Sequence, residues 1–312
     1  MNAIAVFSEK SVVKILASAI RFANFGIIKE DWGEVYGLLQ GKIENNEVII
    51  TDAIPFTHTE KDESQLFLKV GFGPEDYVAA AELSEKIAPE FFIGWYHSHP
   101  GIDLFLSDFD NETQLGYQNQ NPDAIALVVD PFIVIRNPLS GNQMNIERLD
   151  EKIFGFKIFR LENLDLGTES GFYEVEWRFN GDIIKTRKII DSLVEDIPKF
   201  LPHRDIETRL EKFIEKGKKK IMTQFYSLYD YLDTLKKKDK KRRREYFAQH
   251  YPEIEKLIED MIKIIEKRKR MLDFLEYREL YIKERFSREF DEFLKFIHDI
   301  NDKLEKLKKE LL

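Results

Sequence analysis

From Glu253 to Leu312 the chain runs for 60 residues without a Gly or a Pro. Strands need turn residues every few positions, so a stretch this long without them reads as helix. Built as one rod it would reach about 90 Å at roughly 1.5 Å per residue. Two or more long helices are therefore expected, with a break near Arg285-Phe286-Ser287-Arg288. Ile254, Leu257, Ile258, Met261, Ile262 and Ile265 recur at helical spacing and form an apolar stripe that must be covered. Two covers satisfy it: other helices of the same chain, or helices of another subunit in a bundle or coiled coil. Helical spacing begins near residue 183, which makes 181–312 a helical region distinct from 1–180.

The first 180 residues have a different texture. Val12, Val13, Leu16, Ile20 and Ala23 follow Ser8 at three- and four-residue spacing, predicting an amphipathic helix over 9–25 that Gly26 ends. Two strands, 34–40 and 48–54, flank the polar hairpin segment 42–47. Pro74 to Ala88 opens with Pro and two acidic residues before an Ala/Leu run, as a first helical turn prefers. The compact apolar runs 91–96 and 124–129 read as buried central strands, with a short helix from Ser107 to about Gln118 between them. Further strands are expected at 155–161 and 172–179. The order α-β-β-α-β-α-β-β-β implies an α/β (α+β) domain, a mixed sheet flanked by helices.

Composition narrows the setting. There is no cysteine among 312 residues, so no disulfide forms. No stretch of 18 apolar residues occurs and no basic segment leads into an apolar one at the start, so neither a membrane span nor a signal peptide is expected, and a cytoplasmic protein is the default. A net charge of −9 with 34% charged residues argues against general nucleic-acid binding. The run Lys236 to Arg244 carries eight basic residues in nine and reads foremost as a solvated helix end or loop, ahead of docking to an acidic surface or to nucleic acid. Heavy Lys/Glu use fits a thermophile.

The chemistry gathers in GWYHSHPGIDLFLSDFD, Gly94 to Asp110. At a strand end His97 and His99 project to one side, where two imidazoles can converge on one ion. Ser107 suits the N-cap of a helix whose first turn holds Asp110. Two imidazoles and a carboxylate would give Zn²⁺ three ligands, with water in the fourth position of an open tetrahedral site. Amide hydrolysis then needs a base, for which Glu34, directly before the apolar run Val35 to Leu39, is the candidate, with burial raising its pKa. Each piece also has a plain reading: Ser-x-x-Asp is a capping box, His-x-His is often incidental, and Glu34 is a strand-edge carboxylate. His58, in PFTHTE, has no partner nearby in sequence and is read as structural.

The conjunction is more specific than its parts. An upstream glutamate, then His97-Ser98-His99, seven residues beginning with Pro100, Ser107, two residues and Asp110 resembles the JAMM, or MPN+, zinc metalloproteases, and VVDP at Val128 to Pro131 adds to the likeness. The resemblance implies an MPN (cytidine-deaminase-like) fold over 1–180, His97, His99 and Asp110 as zinc ligands, Glu34 as general base, and Ser107 as the donor that stabilises the oxyanion. It implies an isopeptidase cleaving after the C-terminal Gly-Gly of ubiquitin or a ubiquitin-like modifier, the tail lying as an added strand on a sheet edge and Phe105 walling its channel. The alternatives are a scaffolding subunit of a multi-protein complex and a peptidase acting on sulfur-carrier proteins. Implied partners are modifier conjugates and, through the C-terminal helices, a homodimer, an MPN heterodimer or a proteasome-like assembly. The composition would suit an archaeal relative. Asp103-Leu104-Phe105 departs from the Gly-Cys-Trp of eukaryotic members, and 57–73, which corresponds to the family's ubiquitin-facing insertion, is expected to be a mobile element or short strand.

Overall fold

A computed structural model describes residues 3–59, 74–138, 151–235 and 239–312. The chain divides into two compact units, one of Met1–His203 with Phe274–Arg278, the other of Arg204–Asp273 with Glu279–Leu312. The first unit contains β1 (Ile4–Ser8), α1 (Glu9–Phe22), β2 (Val35–Glu44), β3 (Glu47–His58), α2 (Pro74–Ile87), β4 (Phe91–Ser98), α3 (Asp108–Gln120), β5 (Ile125–Val129), α4 (Pro131–Arg136), α5 (Glu151–Phe154), β6 (Phe156–Leu161), β7 (Phe172–Glu174), β8 (Trp177–Asn180) and α6 (Ile183–Phe200). The second holds α7 (Ile206–Thr234), α8 (Lys240–Met271) and α9 (Leu280–Leu311).

Among the described residues the strands form one mixed sheet in the order β7-β6-β5-β4-β2-β3-β1-β8. Here the single expected strand 172–179 splits. β7 pairs with β6 while β8 pairs with β1, so its halves lie at opposite ends of the strand order. Laid flat, the ends of eight strands would be about 34 Å apart, whereas Glu174 and Trp177 can be separated by only about 10 Å of chain. The sheet must therefore curl towards closure. β1 went unrecognised because five residues directly before a helix give no readable alternation.

Other expectations are met locally. Ser8 caps α1 by accepting from Ser11 N, and Val12, Leu16, Ile20 and Ala23 are buried. The helix stops at Phe22 rather than near 25, because the Asn24 side chain bonds Ile20 O and Gly26 N and turns the chain. The hairpin strands run longer than expected, to Glu44 and from Glu47, around Asn45 and Asn46 at φ 52° and 62°, the left-handed pair of a tight two-residue turn. β5 is buried throughout.

In the helical unit Ile254, Ile258, Met261 and Ile265 are buried as α8 packs with α7 and α9, so the stripe is covered by the chain's own helices. The break is not near Arg285. α9 runs straight through it, with Phe286 fully buried and Arg285 bonded to Glu289 and Glu211 at 2.8 and 2.6 Å. It falls instead between Met271 and Leu280, a stretch without a breaker residue, where Phe274–Arg278 packs into the sheet unit. Tertiary contacts override local helix preference there.

Gly217 stands mid-helix in α7, where Ala would ordinarily add about 1 kcal/mol of stability. A Cβ there would lie 2.7 Å from the Phe293 ring and 3.4 Å from Met261 Sδ, and Phe293 is fully buried. Gly217→Ala is therefore expected to lower the unfolding temperature of the helical unit, by thermal denaturation, reversing the propensity expectation.

Among the described residues no helix is long and apolar enough to cross a membrane. Segment 60–73, including Phe67 to Val70 and most of the expected insertion, and Lys236 to Lys238 of the basic run lie outside the described residues. Lys240 to Arg242, at the start of α8, are exposed.

Candidate metal centre

β4 ends at Ser98 between β2 and β5, with Tyr36 and Val128 flanking His97 in register. His97 lies on an aromatic column: its ring stacks on Trp95 at 4.7 Å, and Trp95 on Tyr36 at 5.2 Å. Trp95 Nε1 donates to Gln114 Oε1 at 2.9 Å, which ties α3 to the same strand. His99 lies just past the strand, its amide donating to Val129 O. The following turn is fixed by Asp130, which accepts from Gly101 N at 3.0 Å and Phe132 N at 2.9 Å. Asp103 then closes the loop, its carbonyl accepting from His99 Nδ1 at 3.0 Å. That bond leaves the lone pair of His99 Nε2 facing inward, the arrangement metal-binding histidines adopt.

Ser107 caps α3 as expected. Its hydroxyl accepts from Asp110 N while Asp110 Oδ2 accepts from Ser107 N at 2.8 Å and Ser107 Oγ at 2.6 Å, completing a capping box. The capping geometry leaves Asp110 Oδ1 facing His97 Nε2 at 3.3 Å, with Oδ2 3.7 Å from His99 Nε2. The two Nε2 atoms lie 3.0 Å apart. All three residues are buried, and they form a group able to hold a metal.

The donor set fits zinc. A tetrahedron with bonds near 2.0–2.1 Å has edges of about 3.3–3.4 Å, close to the 3.0 Å between the two Nε2 atoms and the 3.3 Å from His97 Nε2 to Asp110 Oδ1. Without an ion two imidazole nitrogens would sit face to face. Burial holds His97 below the usual imidazole range, while for His99 burial is outweighed by its bonds to Asp110 and the Asp103 carbonyl, which raise it. Burial would raise Asp110, but the bonds from His97, His99 and Ser107 hold it well below the usual carboxylate range.

Glu34 precedes β2 and is half-buried. Burial pushes its pKa up to about 7, with His99 lowering and Asp110 raising it, so its carboxyl shares the field of the cluster. Two residues not singled out in the sequence hold its backbone. Thr59 Oγ1 accepts from Glu34 N and Thr59 N donates to Glu34 O, both at 2.8 Å, and Ser98 Oγ accepts from Val35 N at 2.9 Å. Phe105, 40% exposed, meets the His99 ring edge-on at 5.1 Å.

Comparison with known families fits this geometry. Residues 7–123, which include all five positions, match the family described as JAB1/Mov34/MPN/PAD-1 ubiquitin protease. The chain carries a JAB/MPN domain. Among curated relatives, COP9 signalosome complex subunit 5 of Drosophila melanogaster is 37% identical over 31% of this chain and 30% of its own length. The Neurospora crassa subunit 5 is 33% identical over 43% of this chain and 38% of its own. Subunit 5a of Arabidopsis thaliana is 36% identical over 31% and 27%. The chain thus matches roughly a third of the length of these relatives.

Proposed function

We propose that the MPN domain is a zinc-dependent isopeptidase that cleaves after the C-terminal Gly-Gly of ubiquitin or a ubiquitin-like modifier. The observation that carries this reading is the convergence of His97, His99 and Asp110, with Glu34 nearby in a setting whose burial pushes its carboxyl up to about 7. His97, His99 and Asp110 would hold the zinc, which would supply Lewis-acid chemistry at a carbonyl and at water. Glu34, ionised near neutrality, takes the proton of the attacking water on its carboxylate and passes it to the departing lysine amine. The Ser107 hydroxyl, bonded to Asp110 in the resting site, turns to donate to the developing oxyanion. A purely scaffolding role leaves the buried ligand set and the raised Glu34 without a cause.

The tail needs a route. β2 and β4, which carry the site, are interior strands, and the free edges of the described sheet are β7 and β8, so no edge stands beside the metal for an added strand. The candidate route is a groove of about 560 Å³ lined by Tyr36, Phe92, Phe109, Thr113, Gly116 and Tyr117. Tyr36 is the register partner of His97 and Phe109 precedes Asp110, so two of its lining residues neighbour ligand positions, and Phe105 stands against the His99 ring. The test is cleavage of a lysine conjugate of a ubiquitin-like protein, with and without a zinc chelator, alongside a linear sulfur-carrier fusion. Chelator-sensitive release of the modifier with a free Gly-Gly end is expected. Cleavage of the fusion alone would assign the chemistry to sulfur carriers, and no cleavage of either by zinc-loaded protein would return the domain to a scaffold.

A further inference from the structure

His58, read from sequence as structural and without a partner, has one 218 residues away. Its Nδ1 lies 3.0 Å from both carboxylate oxygens of Glu276 and 2.8 Å from Arg278 Nη2, while Arg278 Nε donates to Glu276 at 3.2 Å. One ring nitrogen makes one bond at a time, so Nδ1 donates to the carboxylate or accepts from the guanidinium. Glu276 is 1% exposed, and leaving such a carboxylate buried without partners is strongly unfavourable. Next to it Tyr277 stacks on Phe56 at 5.1 Å and an interplanar angle of 7°. Phe56 belongs to the core cluster containing Tyr36 and Trp95. Residues 274–278 are thus a strap fixed to the end of β3 inside the sheet unit.

What the strap grips is what holds Glu34. The His58 ring lies at 3.9 Å on the ring of Phe22, and Phe22 O accepts from Gly33 N at 3.0 Å. On its other flank His58 is followed by Thr59, which bonds both the N and the O of Glu34. The two anchors of the loop carrying Glu34 therefore meet at one imidazole, and that imidazole is held from outside by Glu276.

We propose that Glu276 is a positioning residue for Glu34, acting through His58 on the Phe22 and Thr59 anchors; this rests on Glu34 being the base of the proposed reaction. Positioning matters steeply, since a displacement near 1 Å of a reacting group costs about 100-fold in rate. Glu276→Ala is expected to lower kcat by about 10- to 100-fold with KM unchanged. Glu276→Gln, which still bonds His58, should recover most of that loss. In a Glu34→Gln background Glu276→Ala should cost nothing further, because a residue acting through Glu34 has nothing left to position. Amide hydrogen exchange gives a readout independent of turnover: Glu276→Ala should speed exchange at Glu34 and Thr59. Should Glu276→Ala fail to fold, Thr59→Val, which removes the Oγ1 bonds to Glu34 N and O while leaving the Thr59 N–H to donate to Glu34 O, carries the same comparison. An equal fold-loss in both backgrounds, or unchanged exchange at Glu34 and Thr59, overturns the proposal. Full activity of Glu34→Gln alone would instead sink the role of Glu34, while the exchange data would still decide whether the strap holds this loop.

Discussion

Glu34→Gln is expected to reduce conjugate cleavage at pH 7 by about 10²- to 10⁴-fold, the usual contribution of a positioned general base, while leaving zinc content per chain unchanged. The backbone here is held by Thr59 at Glu34 N and by Ser98 at Val35 N, so the amide should keep the position and lose only the basicity. Glu34 also makes a prediction that needs no substrate. Its folded pKa of about 7 lies above the ordinary 4.5, so the folded chain holds this proton more tightly than the unfolded one. Its stabilising contribution is fully present below about 4.5 and is lost as pH rises through about 7. The penalty at pH 8 is about 3 kcal/mol in metal-free protein, at roughly 1.4 kcal/mol per unit. Metal-free Glu34→Gln should therefore unfold at higher denaturant than wild type at pH 8, and at nearly the same denaturant at pH 4.5. A variant less stable at both pH values would mean that the carboxyl is not held in a disfavoured state. Bound zinc, with its own positive charge, should narrow the gap.

The second large effect belongs to Asp110. Its two oxygens divide their work, Oδ1 facing His97 and Oδ2 closing the capping box with Ser107. Asp110→Asn keeps an oxygen able to accept from Ser107 N but loses the charge of the ligand. Zinc per chain, by atomic emission after dialysis, should fall from about one to below about 0.1 equivalents, and the metal-free protein should also lose thermal stability at neutral pH, because the carboxylate held below its usual range by His97, His99 and Ser107 stabilises the fold there. Asp110→Ala should lose the metal and also about 1 kcal/mol of stability with the cap. Ser107→Ala gives the complement: zinc retained, stability lower by about 1 kcal/mol and turnover lower by about 10²- to 10³-fold if its hydroxyl serves the oxyanion. Asp110→Asn protein that bound zinc as tightly as wild type would remove the carboxylate from the ligand set.

The local rules explain why so much of this was legible. His97 and His99 alternate correctly because a strand has period two, and Ser107 and Asp110 form a capping box because that box has a fixed spacing of three. Both are short-range regularities, and the site is largely made of them. What stayed hidden was every contact between distant segments. Nothing near His58 announces Glu276, and nothing near Glu34 announces that Thr59 will bond both its N–H and its C=O. The helix break was misplaced for the same reason. Neither 272–279 nor 285–288 contains a breaker, and only the packing of Glu276 and Tyr277 decides between them. The split of 172–179 likewise depends on which strands lie at the two ends of the curled sheet, a fact about topology that alternation within eight residues does not carry.

That curl sets the limits within which the domain can be cut. Strands β1 and β8 pair at Ala5 and Trp177, and β4 relies on β5, which begins at Ile125. A fragment trimmed to residues 7–123, the span that carries the family likeness, would keep the histidines, the aspartate and Glu34. It would also strip β3 and β4 of their outer neighbours, presenting two long apolar strands with open hydrogen-bonding rows to any similar chain. Such a piece has all the proposed ligands and none of the closure, and in solution it would be a seed for aggregation.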